Sequence, residues 1–110
     1  MKVEWLPAAE AELNAAADFY DARQPGLGDD LLTEVERTVR LIGMFKYAGK
    51  LLGQSDDRLR EFVLRRFPYR LIYRMKPGEI TIVSVAHDSR RPGHWIDRIQ
   101  EESAVYQVAA

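Results

Sequence analysis

The sequence predicts an α+β fold: a small, antiparallel-rich sheet covered by an N-terminal helical hairpin. Three observations predict it. Apolar residues recur at helical spacing over residues 7–22 and again over 27–45, with only a short turn between them. Strand-like segments crowd the second half, at 58–67, 69–76 and 79–87. The turn signals Phe67-Pro68 and Pro77-Gly78 separate those segments by so little that neighbours must pair antiparallel.

The elements follow in order. Val3 and Trp5 form a short apolar strand ahead of Pro7. Pro7 suits the first turn of a helix, where its missing N–H is not needed. Ala9, Leu13, Ala16 and Tyr20 then line one face of the first helix, and its alanines permit close approach to a neighbour. QPGLG at 24–28 is a turn. Leu31, Val35, Val39 and Ile42 line the second helix, with Asp29 and Asp30 placed favourably at the positive end of its dipole. Residues 46–57 read as a loop broken by Gly49 and Gly53.

In the middle strand Tyr69, Leu71, Tyr73 and Met75 share one face; Arg70, Ile72 and Arg74 share the other. In the last strand Ile80, Ile82, Ser84 and Ala86 oppose Thr81, Val83, Val85 and His87. If Leu71 and Tyr73 face the helices, Arg70 and Arg74 lie on the open face. Pro92 is expected to begin a short final helix whose Trp95, Ile96 and Ile99 dock on the body. The order is β-α-α-β-β-β-α, in one domain over 1–100 with a short tail at 101–110.

The chain has 110 residues and no cysteine, which rules out disulfides and cysteine-ligated metals. No apolar run is long enough to span a membrane, and the N-terminus lacks the layout of a signal peptide. A cytoplasmic protein is expected. The net charge of −1 hides an asymmetry. Residues 1–56 carry 6 basic and 10 acidic side chains, a net of −4. Residues 58–98 carry 10 and 4, a net of +6, which points to an anionic partner or to a solvated arginine-rich edge.

That basic half holds Arg58, Arg60, Arg65, Arg66, Arg70 and Arg74, with Arg90, Arg91 and Arg98 downstream. The guanidinium fork suits phosphate oxygens. Strand alternation divides these arginines between faces, so they cannot all form one patch. His87 ends a strand and is suited to proton transfer near neutral pH. Cleavage of a phosphodiester through a 2′-hydroxyl needs a base, a cation for the phosphorane and an acid for the leaving oxygen. His87 and Arg70 can fill two of these roles; a strand-end histidine more often hydrogen-bonds a nearby carboxylate or backbone group. His87 and His94 match no metal spacing. No phosphate-cradling Gly-rich loop and no serine elbow is present, so no cofactor is expected.

ADFYDARQPGLGDDLL in the helical hairpin, RRFPYRLIYR in the strands and VSVAHDSRRPGHWIDR at the end resemble the RelE/ParE superfamily of bacterial type II toxins, the plasmid stabilisation proteins. The resemblance covers nearly the whole chain. It implies a RelE/ParE-like fold and a toxin held by a cognate antitoxin, consistent with a toxin–antitoxin heterotetramer. ParE-like members inhibit DNA gyrase and are not enzymes. RelE-like members cut mRNA on the ribosome without metal. A third possibility is a non-toxic relic that keeps only antitoxin binding.

If the chain is a nuclease, the resemblance assigns Arg70 to the scissile phosphate, Arg65 to a second strand arginine and His87 to a late catalytic position. Arg66, Arg74, Arg90 and Arg91 become binding residues. The chain departs from RelE in having only four lysines, Lys2, Lys46, Lys50 and Lys76, and in lacking the tyrosine that in RelE follows the last strand arginines, with Trp95 standing further on. The Phe19-Tyr20 and Gly26-Leu27-Gly28 pattern is more ParE-like.

Overall fold

The computed structural model describes residues 1–53, 58–91 and 93–99. Along the chain run β1 (Lys2–Trp5), α1 (Pro7–Arg23), α2 (Leu27–Met44), β2 (Lys50–Leu51), β3 (Leu59–Val63), β4 (Tyr69–Lys76) and β5 (Glu79–His87). They build a five-stranded sheet in the order β1-β5-β4-β3-β2. β1 lies parallel to β5, with Trp5 opposite Ile82, and the other neighbours are antiparallel. The tail at 101–110 and Pro92 lie outside the described residues.

The helical hairpin forms where expected. Pro7 opens α1, and Asp29 and Asp30 sit in the first turn of α2. The two helices meet at Gly28. Its amide donates to Asp21 Oδ1 at 2.7 Å. A Cβ at this position would lie 2.4 Å from the Ala17 carbonyl oxygen, so any larger residue would force the helices apart.

Ala9 and Ala16 of α1 and Leu31, Val35 and Ile42 of α2 pack onto Leu71, Tyr73, Met75, Ile80, Ile82 and Val85 of the sheet. Each fully buried Leu or Ile side chain is worth about 1.5–3 kcal/mol of transfer free energy. Tyr73 is completely buried among them. Its hydroxyl donates to the Lys46 carbonyl at 2.7 Å and accepts the Gly49 amide at 2.9 Å, so its polar tip is satisfied.

Three expectations need correction. Residues 46–57 are not all loop: Lys50 and Leu51 pair with Glu61 and Arg60 of β3. A two-residue strand has no periodicity of its own, and β3 supplies its order. β3 stops at Val63, short of 67. Leu64 and Phe67 are both buried in the helix-side cluster, and the Leu64 amide donates to the Tyr69 carbonyl at 2.9 Å, closing a turn instead of extending the strand. Near the C-terminus, residues 96–99 are helical only after a turn at 93–95. Gly93 has φ of 81°, a left-handed conformation that a right-handed helix does not contain.

β4 alternates as expected, with Leu71 and Tyr73 toward the helices. β5 does not. Tyr73 pairs with Ile82 and Ile72 with Ser84, leaving Val83 as an extra residue in a bulge. Ile80 and Ile82 face the helices before the bulge and Val85 faces them after it, while Ser84 and Ala86 pair with Ile72 and Arg70 of the other face. A second, small cluster of Leu59, Ile72 and Val83 occupies that open face, packed against Leu6, Leu52, Trp95 and Ile99.

Candidate functional site

The open face of the sheet carries a cleft of about 200 Å³. Its floor is Glu61 of β3, Arg70 and Ile72 of β4 and Ala86 of β5; the turn after β5 adds Asp88, Arg90 and Arg91, and Gly93, His94 and Trp95 form the outer wall. β4 alternation brings Arg70 to this face. The Asp88 amide donates to the Pro68 carbonyl at 2.8 Å, which ties the turn after β5 to the turn before β4.

Arg70 is already occupied. Its Nη1 lies 3.0 Å from Glu61 Oε2, and its Nη2 lies 3.4 Å from Asp88 Oδ1. The hydrogen bond to Glu61, opposed by burial and aided by the Glu61 and Asp88 charges, raises the guanidinium pKa further. Two carboxylates thus surround the Arg70 guanidinium. An incoming phosphate must displace at least one of them. Arg90 and Arg91 stand exposed at the cleft mouth.

His87 also lines the cleft, with its ring engaged by Tyr69 and Ser89. It pairs with Tyr69, whereas Arg70 pairs with Ala86. The imidazole packs edge-on to the Tyr69 ring, 5.0 Å between centroids, and Tyr69 in turn packs with Tyr20. Nδ1 of His87 accepts the Ser89 amide at 3.0 Å and lies 2.8 Å from Ser89 Oγ. The histidine therefore organises its own turn, and its ring stacks on Tyr69.

The other candidate arginines are dispersed. Arg65 lines a separate groove of about 320 Å³ between α2 and β3, with Arg37, Leu41, Phe62 and Val63. Arg66 is exposed, reaching Asp30 Oδ2 at 3.5 Å and lying 5.6 Å over the Phe67 ring. Arg74 shares the open face with Arg70 but stands four residues along β4, roughly 13 Å away at strand rise. It lines a shallow hollow there with Arg58 and Lys76. The cleft thus gathers Arg70, His87, Arg90 and Arg91, and leaves Arg65, Arg66 and Arg74 outside.

One group of side chains escaped the sequence reading. β1 ends at Trp5, and after the Leu6 amide bonds the Ile82 carbonyl at 3.1 Å no strand among the described residues covers this edge of β5. Side chains take over. Arg98 Nη1 donates to the Val83 carbonyl at 3.1 Å, and Glu12 Oε1 of α1 accepts the Val85 amide at 3.0 Å. The same carboxylate accepts from Ser84 Oγ at 2.9 Å and from Arg98 Nη1 and Nη2 at 2.8 and 3.1 Å. His94 Nε2 lies 3.3 Å from Glu12 Oε2. Burial alone would push the Glu12 carboxyl up; the bonds from Arg98, Ser84 and Val85 outweigh it and hold the pKa below its ordinary value.

A signal for this group was present. Glu12 lies three residues after Ala9 and four before Ala16, on the buried stripe of α1 itself. A carboxylate on an apolar stripe demands partners.

Among the described residues no three His, Asp or Glu side chains converge as metal ligands, and no helix is long and apolar enough to cross a membrane. The family model described as "ParE toxin of type II toxin-antitoxin system, parDE" matches residues 3–92. No curated protein matches the chain. A solved chain from the "Chromosomal ParDE TA system from P. aeruginosa" is similar, with a TM-score of 0.66 and 23% identity, over 79% of this chain and 95% of that one. At that identity the likeness is one of fold.

Proposed function

The chain belongs to the ParE toxin family of type II toxin–antitoxin systems, and from that premise we propose that it arrests growth by binding and inhibiting DNA gyrase, with a cognate antitoxin holding it in check. The observation that carries the binding reading over a catalytic one is the state of Arg70. Its guanidinium is engaged by Glu61 and Asp88, while His87 is stacked on Tyr69. A phosphodiesterase needs a free cation and a proton acceptor facing the same substrate atom. Action on gyrase places the protein in the cytoplasm, with the antitoxin, in a heterotetramer whose mass light scattering would report.

A second reading has one observation in its favour. Arg70, His87, Arg90, Arg91 and His94 line one cleft, the arrangement that an RNA phosphate would meet. Purified toxin should inhibit supercoiling by gyrase and leave mRNA intact on programmed ribosomes. Cut mRNA with unaffected supercoiling would replace the gyrase reading by the ribonuclease one, and Arg70→Ala should then abolish cutting while antitoxin binding persists. Harmless expression without antitoxin, with neither activity, would mark a relic that only binds antitoxin.

A further inference from the structure

We propose that residues 93–99 form a strap latched across the open sheet face by Glu12, and that this latch decides whether the cleft has its outer wall. Three observations converge on it. The strap's described turn hydrogen bonds, from the amides of His94, Ile96 and Arg98, all accept locally, at Arg91, Gly93 and Trp95. None of these reaches the sheet. Its described polar attachments to the sheet and to α1 are the side chains of Arg98 and His94; both converge on Glu12, while Arg98 also reaches the Val83 carbonyl and His94 the Ser84 hydroxyl.

The apolar attachment is small. Trp95 and Ile99 pack on the cluster of Leu59, Ile72 and Val83, and Trp95 together with Gly93 and His94 walls the cleft. So small a contact leaves much of the holding to the charge-assisted bonds, which are roughly twice as strong as neutral ones. The geometry is that of a latch and not of a core contact. Glu12 spans from α1 around the open edge of β5, where a strand would otherwise lie, and grips a segment more than eighty residues later in the chain. The third observation is one of extent: the strap lies beyond residues 3–92, the part of the chain that matches the family model.

Unlatched, the strap loses its hold on Trp95, the cleft loses a wall, and Ile72 meets solvent. The sheet beneath keeps its strands, because β4 and β5 are paired through their own backbones. Glu12 is thus a positioning residue for the cleft, acting from the far side of the sheet edge.

Trp95 supplies the test. In a Trp5→Phe background it is the sole tryptophan of the chain. Glu12→Gln should shift its emission to the red, raise its acrylamide quenching toward that of an exposed indole and abolish exchange protection of the 93–99 amides. The amides of β4 and β5 should keep wild-type protection. Arg98→Met, which cuts the latch from the strap side, should do the same, and it decides the matter alone if Glu12→Gln does not fold. A Trp95 that stays shielded in every folded variant overturns the proposal. So does loss of protection across β4 and β5 together with the strap, since Glu12 would then be part of the global core.

Discussion

The two faces of one sheet are held by different forces. The helix-side face is a continuous apolar layer, closed by Leu31, Val35 and Ile42 from α2 and by alanines from α1. The open face has only a small buried apolar cluster, Leu59, Ile72 and Val83, and is covered by a short segment gripped through charges. Burial on the first face scales with area and tolerates small shifts. Attachment on the second depends on a few atoms at the right distance. A surface that must exchange one partner for another is better built in the second way, because an incoming group can replace a hydrogen bond more easily than a packed layer.

Leu71 and Ile72 are neighbours in β4 pointing to opposite faces, and both are essentially inaccessible to solvent. Leu71→Ala should cost about 3–5 kcal/mol and Ile72→Ala about 2–3 kcal/mol, because the strap can settle into the smaller cavity. Equal costs in urea unfolding would mean that the open face is packed as rigidly as the other. Tyr73→Phe removes the hydroxyl that serves Lys46 and Gly49. It should cost about 1–2 kcal/mol, with faster exchange at the Gly49 amide as its local signature.

The acid response sharpens the contrast further. Glu12 faces Arg98 and His94 of the strap and the Ser84 hydroxyl and Val85 amide of β5. Its folded pKa is lowered from an ordinary 4.5, so the unfolded chain takes up this proton first as the pH falls. Its stabilisation is complete above the ordinary value and is lost as the pH drops through the folded one. Urea midpoints measured from about pH 6 to pH 3 should show a slope that flattens in Glu12→Gln. The smallest effect belongs to Arg66→Ala. The Arg66–Asp30 pair is more than half exposed on both sides, and its loss should move stability by at most about 0.5 kcal/mol.

The helix-side face was the legible one. The stripe from Ala9 to Tyr20 and that from Leu31 to Ile42 are periodic, and both helices begin and end within a residue of where those stripes place them. β4 and β5 match their expected bounds, because Pro77-Gly78 pins the turn and their alternation is long enough to read. What escaped has physical reasons. β2 is too short to carry a pattern. The bulge at Val83 inserts one residue and reverses the facing of the rest of β5, and nothing in ITIVSVAH marks where it falls.

The candidate site was less legible. Alternation put Arg70 on the face opposite Leu71 and Tyr73 without deciding which face is open, and it is silent on Glu61 and Asp88, which come from β3 and from the turn after β5. Glu12, Arg98 and His94 are joined only by the fold. The departure of a carboxylate from the apolar stripe was visible, though its partners were not.

The parallel pairing of β1 with β5 has a consequence in time. β1 leaves the ribosome well before its partner, with Trp5 waiting for Ile82. At about 5–20 residues per second, that wait is roughly 4–15 s for each nascent chain. Throughout it the sheet has an open side and the Glu12 carboxylate has neither its β5 donors nor Arg98. The finished surface therefore exists only once β5 and the strap have been synthesised, a built-in delay between the making of β1 and any activity of the folded protein.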